Sequence, residues 1–216
     1  MDEGEHSIEM HLPYVYKVLE RQFGKGSTLP KIVPILVGSI DARQEAQYGK
    51  LLKPYLEDEE NCFVISSDFC HWYAFLYSVC MFLTYICDRG TRFSYTYYIP
   101  NEASRPRGQS LGHTLKAQPP PSDPPIWSAI ETLDKLAIDS IETGKHKEFT
   151  DYLHKTKNTV CGRHPIGVMM GALEADTNEP RGIFKFVRYE QSSKCFNIRD
   201  SSVSYASAFA VISKGN

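Results

Sequence analysis

Three residues with chemically useful side chains, Asp68, Cys70 and His71, directly follow the apolar run at residues 62–65. A short apolar run of this kind is typical of a buried strand. In open α/β sheets, ligands bind at the carboxyl ends of the strands. Carboxylate and imidazole groups at such a place can transfer protons or hold a metal ion. The sequence therefore predicts a candidate functional site at this strand end, where His71 could transfer protons with Asp68 nearby.

Each of these residues has a simpler alternative role. A histidine that follows a strand can be hydrogen-bonded in a loop without any chemistry, and the residues alone leave this alternative as open as proton transfer. Asp68 could orient His71 or cap a turn, and the capping role has at least equal support. Cys70 is interpreted as a structural thiol, because neighbouring residues of an extended chain point to opposite sides.

A second cluster, Cys161-Gly162-Arg163-His164-Pro165, places a thiol, a cation and an imidazole just before a predicted helix. As a thiolate, Cys161 can bind soft or borderline metals. The alternative is a buried, inert thiol, which is common for a single cysteine. Arg163 and His164 suit an anionic ligand. The two clusters would form one site if the fold brings these distant parts of the chain together.

A third group of candidate ligands, His6, Glu9 and His11, lies near the start of the sequence. The two histidines are not at the i, i+4 spacing that places two ligands on one face of a helix. Hydrogen bonds that fix the start of a helix are the alternative role for His6 and Glu9. We keep His6 as a candidate ligand-binding residue.

The composition is that of an ordinary globular protein, with 42% hydrophobic and 23% charged residues among 216. This length allows one hydrophobic core, and we predict a single domain over residues 1–216. A formal net charge of −2 and scattered basic residues argue against a nucleic-acid-binding surface. The acidic residues 1–5 do not resemble a secretory signal. The six cysteines are therefore expected to be reduced thiols in the cytoplasm, with the nucleus as the alternative.

The spacing of apolar residues predicts several helices. The first begins near residues 10–12 and ends at Gly24, because glycine commonly stops a helix. The second spans residues 41–55, with Asp41 as its N-cap. Further helices are predicted at residues 126–144, 148–155 and 165–173.

Apolar runs at residues 31–38 and 62–66 predict two strands on either side of the second helix. A strand–helix–strand order with short links indicates a parallel βαβ pair, and therefore an α/β fold. Pro34 places its strand at an edge or in a bulge. Further strands are predicted at residues 184–189 and 203–212.

Two segments do not fit this pattern. Residues 73–89 contain an apolar run that is shorter than the roughly 20 residues of a membrane-spanning helix, so no membrane span is expected. We interpret the segment first as an insertion, with a core helix or a membrane-associated segment as alternatives. Residues 99–125 contain seven of the thirteen prolines, which predicts an irregular loop.

Several blocks of sequence, in the same order, resemble the Memo family (mediator of cell motility). The matching blocks are residues 5–14, 66–72, 92–98, 159–168 and 200–206. The resemblance extends over residues 4–72, 90–98 and 126–212. The intervening residues 73–89 and 99–125 are then similar to insertions in the family pattern.

The fold of this family resembles that of the class III extradiol dioxygenases, which implies a central mixed sheet flanked by helices. Family members carry two metal-binding histidines in Pro-His-Ala-Gly and Pro-Ser-His-His segments, and neither segment occurs in this sequence. The resemblance therefore implies a fold that is incomplete at the N-terminus. It implies Cys161 as a ligand to iron or copper, and His71 with Asp68 as acid/base residues. With one of three expected ligands present, we expect no tightly bound metal.

The resemblance further implies a signalling adaptor in cell motility that binds a phosphotyrosine peptide of an activated receptor. Arg163, His164 and His6 would then be the ligand-binding residues, because a guanidinium and imidazoles suit an anion. A copper- or iron-dependent redox enzyme on the same fold is the first alternative. A truncated isoform without function is the second alternative.

Overall fold

A computed structural model of the chain describes residues 6–26, 29–72, 96–97, 109–110, 124–156, 158, 160–175, 182–197 and 200–212. The chain forms two units, Met1–Gly38 and Ser39–Asn216. The predicted insertion at 73–89 and most of the predicted loop at 99–125 lie outside the described residues. In the described part of the chain, no helix combines the length and the apolar composition that a membrane crossing requires. The predicted single domain stays a prediction.

The first unit is built around one helix, α1 (Leu12–Phe23), which follows a single 3-10 turn at Glu9–His11. Pro13 lies in the first helical turn, where its missing N–H removes no hydrogen bond. Gly24 ends the helix with φ at 85°, a left-handed conformation that glycine adopts without strain. The predicted start of this helix and its glycine stop are confirmed.

The two segments predicted as a parallel pair, residues 31–38 and 62–66, form no strand in this structure. A strand exists only through hydrogen bonds to a neighbouring strand, and the described residues provide no such neighbour for either segment. Pro34 also lacks the N–H that a ladder requires. Val33 is 81% exposed and Val64 is 56% exposed, so their apolar side chains are not covered. The predicted parallel pair is therefore wrong.

The strands are β1 (His71–Trp72), β2 (Thr96–Tyr97), β3 (Gln109–Ser110), β4 (Gly182–Gln191) and β5 (Ser202–Ile212). In the second unit, β1, β5 and β4 form a three-stranded sheet in that order, and β2 pairs with β3. Phe184 of β4 lies opposite Ala210 of β5, and His71 of β1 lies opposite Val203. All these pairings are antiparallel. The described residues therefore combine helices with a small antiparallel sheet, which confirms a sheet flanked by helices. The larger mixed sheet of a dioxygenase-like fold stays a prediction.

The helices of the second unit are α2 (Ala42–Glu57), α3 (Ile126–Glu142), α4 (His146–Thr156) and α5 (Arg163–Glu174). α2 begins with a capping box, in which the Gln44 N–H donates to Asp41 Oδ1 (2.8 Å) and the Asp41 N–H donates to Gln44 Oε1 (3.0 Å). This exchange satisfies two N–H groups at the helix start. The predicted helices and the Asp41 cap are confirmed, although α5 begins two residues before the predicted start at residue 165.

Helices α2 and α5 lie in close contact because glycines face the backbone of the partner helix. A Cβ at Gly49 would lie 2.5 Å from Ala172 N and 2.7 Å from Val168 O. A Cβ at Gly171 would lie 3.0 Å from Ala46 Cα. Larger side chains at these positions would push the two helices apart. The glycines therefore hold α2 against the helix that begins with Arg163.

The hydrophobic core of the second unit joins α3 and α4 to the segment that leads into β1. Leu133, Phe149 and Phe69 are each at most 2% exposed. Phe69 and Phe186 of β4 meet edge to face, with ring centroids 5.8 Å apart, a favoured aromatic geometry. Trp72 is also buried. Because Phe69 and Trp72 are held in the core, the intervening polar residues have a fixed place.

Candidate functional site

The two predicted clusters adjoin through backbone hydrogen bonds. The Cys161 N–H donates to Asp68 O (3.0 Å), and the Gly162 N–H donates to Ser67 Oγ (3.0 Å). A Cβ at Gly162 would lie 2.4 Å from Ser66 O, so a residue larger than glycine would force this contact open. The backbones of the two clusters therefore meet, as the sequence interpretation requires. We call residues 161–163 the Cys161 turn.

His71 and Asp68 form a pair at the start of β1. The distance from His71 Nε2 to Asp68 Oδ2 is 3.5 Å, and the side chains are 13% and 37% exposed. This ion-pair distance favours the interpretation in which Asp68 orients the imidazole. The carbonyl of Asp68 accepts hydrogen bonds from Ser67 Oγ (2.8 Å) and from the Cys161 N–H. These two hydrogen bonds hold the backbone of Asp68 against the Cys161 turn. Proton transfer by His71 and Asp68 stays a prediction.

Cys161 is an exposed residue, which excludes the alternative of a buried cysteine. Cys70, in contrast, is only 6% exposed, in agreement with a structural role. Arg163 is the first residue of α5 and is partly buried, with Nη1 3.5 Å from Val160 O. The positive end of the helix dipole adds to the charge of its guanidinium. The exposed Cys161 therefore lies in a turn whose backbone is bonded to Asp68, and the guanidinium of Arg163 lies against the same turn at Val160 O.

A buried carboxylate, absent from the sequence prediction, joins His164 to a second histidine. Glu45 Oε1 lies 2.7 Å from His164 Nδ1, and Glu45 Oε2 lies 2.6 Å from His146 Nε2. We call these three residues the His–Glu–His cluster. Burial acts to raise the pKa of Glu45, but the hydrogen bonds from the two imidazoles outweigh it and lower this pKa below its usual 4.5. Glu45 is therefore a buried anion.

The sequence offers little signal for this cluster. The buried positions of α2 are Glu45 and Gly49, and a carboxylate with a glycine does not form an apolar stripe. His146 falls in the link between two predicted helices, where no pattern singles it out. Direct ligand binding by His164 stays a prediction, and its Nδ1 is engaged by Glu45 in this structure.

A second buried carboxylate, Asp134, is hydrogen-bonded to the backbone of Cys70, the residue immediately before β1. Asp134 is 0% exposed and accepts hydrogen bonds from the Cys70 N–H (3.1 Å), Asn158 Nδ2 (3.0 Å) and Tyr189 OH (2.9 Å). Burial raises the pKa of Asp134, although the hydrogen bonds act against this shift. The sequence does carry a signal here, because Asp134 lies four residues after Ile130 on the buried stripe of α3. A carboxylate within such a stripe indicates a buried, hydrogen-bonded acid.

His6 lies in the first unit, and its side chain is exposed. Its carbonyl accepts a hydrogen bond from the Met10 N–H (3.0 Å). This contact fits the alternative in which the residue helps to fix the start of a helix. Ligand binding by His6 stays a prediction.

The iron or copper implied by the family resemblance does not fit the described residues. A mononuclear site takes about three protein ligands, and Cys161 supplies one thiolate. Within the described ranges, no group of three His, Cys, Asp or Glu side chains has an arrangement that could hold a metal ion. In the His–Glu–His cluster, each histidine is hydrogen-bonded to the carboxylate. The expectation that no metal is tightly bound stays a prediction.

The chain matches the Memo-like protein family over residues 1–209. It is 42% identical to Protein MEMO1 of Danio rerio over 212 residues, which are 98% of this chain and 57% of that protein. It is 41% identical to Protein MEMO1 of Homo sapiens over 206 residues, 95% of this chain and 55% of that protein. A MEMO1 family protein of Schizosaccharomyces pombe is 39% identical over 97% of this chain and 60% of its own length. The chain thus spans little more than half the length of these curated relatives, and it belongs to the Memo-like family.

Proposed function

We propose that this chain is a signalling adaptor in cell motility that binds phosphotyrosine peptides, in the cytoplasm or the nucleus. Its membership of the Memo-like family supports this general assignment. The observation that carries the proposal is the hydrogen bonding of the Cys161 turn to Ser67 and Asp68. This contact places the first residue of α5, Arg163, next to the segment that leads into β1. The proposed partner is a phosphorylated tyrosine segment of an activated receptor.

The charges at this place suit a phosphate monoester. The guanidinium of Arg163 can form two parallel hydrogen bonds to phosphate oxygens, and the N-terminus of α5 favours an anion. His71 could add a donor only through Nδ1, because its Nε2 is buried. The carboxylate of Asp68 opposes an anion unless His71 compensates its charge. Arg163 is therefore the proposed phosphate-binding residue, with His71 as a second contact.

Isothermal titration calorimetry with a phosphotyrosine peptide and its unphosphorylated form tests this proposal. Arg163→Gln is expected to weaken binding of the phosphopeptide by about 10- to 150-fold, because a charge-assisted hydrogen bond contributes about 1.5–3 kcal/mol. Arg188→Gln is the matched control, since Arg188 lies exposed on β4 with Nη2 3.4 Å from Glu190 Oε1. This control should change the affinity by less than about twofold. Equal binding of both peptides, or equal losses in both variants, rejects the proposal.

A metal-dependent oxidoreductase is the second candidate, favoured by the exposed Cys161, whose N–H is bonded to Asp68 O, and by the Asp68–His71 pair. This candidate requires iron or copper at about one equivalent per chain after purification. Elemental analysis measures that ratio directly. Metal far below one equivalent, together with selective phosphopeptide binding, favours the adaptor.

A product without function of its own is the third candidate, favoured by exposed apolar side chains such as Val33 (81%), Val64 (56%) and Val187 (63%). Exposed apolar surface promotes association. This candidate predicts poor solubility when the chain is expressed alone. A soluble monomer with one sharp thermal transition rejects it.

A further inference from the structure

We propose that Glu45 and His146 are positioning residues for Arg163. The His–Glu–His cluster holds the first turn of α5 and fixes which ring nitrogen of His164 carries a proton. The proposal rests on the proposed function, because it explains how Arg163 is kept where a phosphate would bind. It also gives His164 a supporting role in place of direct contact with the ligand.

The proton positions in the cluster follow from the carboxylate. Because the pKa of Glu45 lies below its usual value, Glu45 is ionised at neutral pH and can only accept hydrogen bonds. Each nitrogen that faces it therefore carries a proton, which places hydrogens on His164 Nδ1 and His146 Nε2. In the neutral imidazole of His164, Nε2 then carries the lone pair.

The second ring nitrogen of His164 is also withheld from a ligand. His164 Nε2 is buried, and among the described residues it has no hydrogen-bond partner. With Nδ1 bound to Glu45 and Nε2 buried, neither nitrogen of His164 is available to a ligand. His164 is therefore assigned a supporting role within the first turn of α5, directly after Arg163.

The cluster connects three helices. Glu45 belongs to α2, His146 is the first residue of α4, and His164 lies in the first turn of α5. The carboxylate also packs on the α5 backbone, since a Cβ at Gly167 would lie 2.3 Å from Glu45 Oε2. The His146 N–H donates to Glu174 Oε1 (3.2 Å) at the far end of α5. The first turn of α5 can therefore shift only by breaking contacts of a buried charge.

Such a shift would act directly on the proposed phosphate contact. Bidentate binding by a guanidinium requires the group to be placed within about 0.5 Å. Arg163 immediately precedes His164, so loss of the cluster displaces its backbone. At metal sites, removing a partner that orients a ligand weakens binding by about 10- to 100-fold. By analogy, we expect a loss of about tenfold here.

Long-range ¹H–¹⁵N spectra of the histidine side chains test the proton placement in the unmodified chain. The expected result is the Nδ1–H form for His164 and the Nε2–H form for His146. His146→Gln and His164→Gln assign the two signals by removing them. An Nε2–H form of His164 in the unmodified chain overturns the proposal.

Binding measurements test the positioning role. Glu45→Gln offers one acceptor oxygen to two donors, and it should weaken the phosphopeptide about tenfold. The matched control Glu131→Gln, on the surface of α3 beside Lys135, should change the affinity less than about twofold. His146→Gln keeps an N–H donor and should stay within about threefold of the unmodified chain, whereas His146→Phe should lose about tenfold. Equal affinities across these variants overturn the proposal.

The two proposals fail in distinguishable ways. If even the unmodified chain does not bind the phosphopeptide, the proposed function is wrong, and the amide shifts of residues 161–164 decide the positioning role. If the amide signals of residues 161–164 move in Glu45→Gln but not in Glu131→Gln, the positioning role is supported. If these signals stay unchanged in Glu45→Gln, the positioning role is rejected. If Glu45→Gln does not fold, the same comparison uses His146→Phe against His146→Gln.

Discussion

Replacing Gly49 by alanine tests the packing of α2 on α5, because packing and helix propensity predict opposite changes in the free energy of unfolding. Helix propensity alone predicts that Gly49→Ala stabilises the chain by about 1 kcal/mol, because glycine is unfavourable inside a helix. Packing predicts the opposite. The new Cβ would lie 2.5 Å from Ala172 N, 2.6 Å from Gly171 C and 2.7 Å from Val168 O. These are backbone atoms, so they can move away only if the helices separate.

The magnitude follows from the separation that is needed. An ordinary contact begins at 3.4 Å, so the helices must move apart by roughly 1 Å. Because all three contacts are with backbone atoms, the overpacking cost is expected in the upper part of the usual range, about 2–3 kcal/mol. After the gain in propensity, we expect Gly49→Ala to lower the free energy of unfolding by about 1–2 kcal/mol. For a chain of this size, the expected fall in Tm is about 2–8 °C.

Urea unfolding followed by far-ultraviolet circular dichroism measures this change. Gln47→Ala is the matched control, because Gln47 is exposed on the same helix. The control should alter the free energy of unfolding by less than about 0.5 kcal/mol. A Gly49→Ala variant that is as stable as the unmodified chain, or more stable, would refute the close packing of α2 on α5.

Three further outcomes are expected. Asp134→Ala removes the acceptor shared by the Cys70 N–H, Asn158 Nδ2 and Tyr189 OH, and it should destabilise the chain by about 3–5 kcal/mol in urea unfolding. Asp134→Asn keeps one acceptor oxygen and should lose clearly less, so equal losses would contradict the network. Because the pKa of Glu45 lies below 4.5 in the folded chain, its contribution to stability is complete above that pH and is lost as the pH falls through the folded pKa. Glu45→Gln should therefore lose stability less steeply than the unmodified chain in acid titrations below about pH 4.5, and parallel curves would speak against an ionised Glu45. Elemental analysis should find iron and copper far below one equivalent per chain, whereas one tightly held ion would show a metal site.

The helices could be predicted from the sequence because their signals are local. Asp41 and Gln44 lie three residues apart and complete the cap of α2 between themselves. Gly24 alone accounts for the stop of α1. Strand pairing depends on partners that are distant in sequence. The apolar runs at 31–38 and 62–66 therefore resemble strands without specifying any neighbour.

The candidate site could be predicted only in part. The Cys161 turn and the residues near Asp68 were recognisable because each cluster carries several reactive side chains in a short segment. Asp134 is detectable in principle, as a carboxylate on the apolar stripe of α3. The partners of Glu45 are 101 and 119 residues away in the sequence. No periodic pattern encodes such a contact, so His146 and Glu45 emerge only when the helices are packed.

The central claim is that the Cys161 turn and the segment around Asp68 bind one phosphate together. A titration of the ¹⁵N-labelled chain with a phosphotyrosine peptide, followed by ¹H–¹⁵N correlation spectra, tests this claim most directly. If one phosphate binds here, the amides of Ser67, Asp68, His71 and Arg163 shift together, and the unphosphorylated peptide leaves their signals unchanged. Shifts of equal size with both peptides, or shifts confined to other parts of the chain, would contradict it.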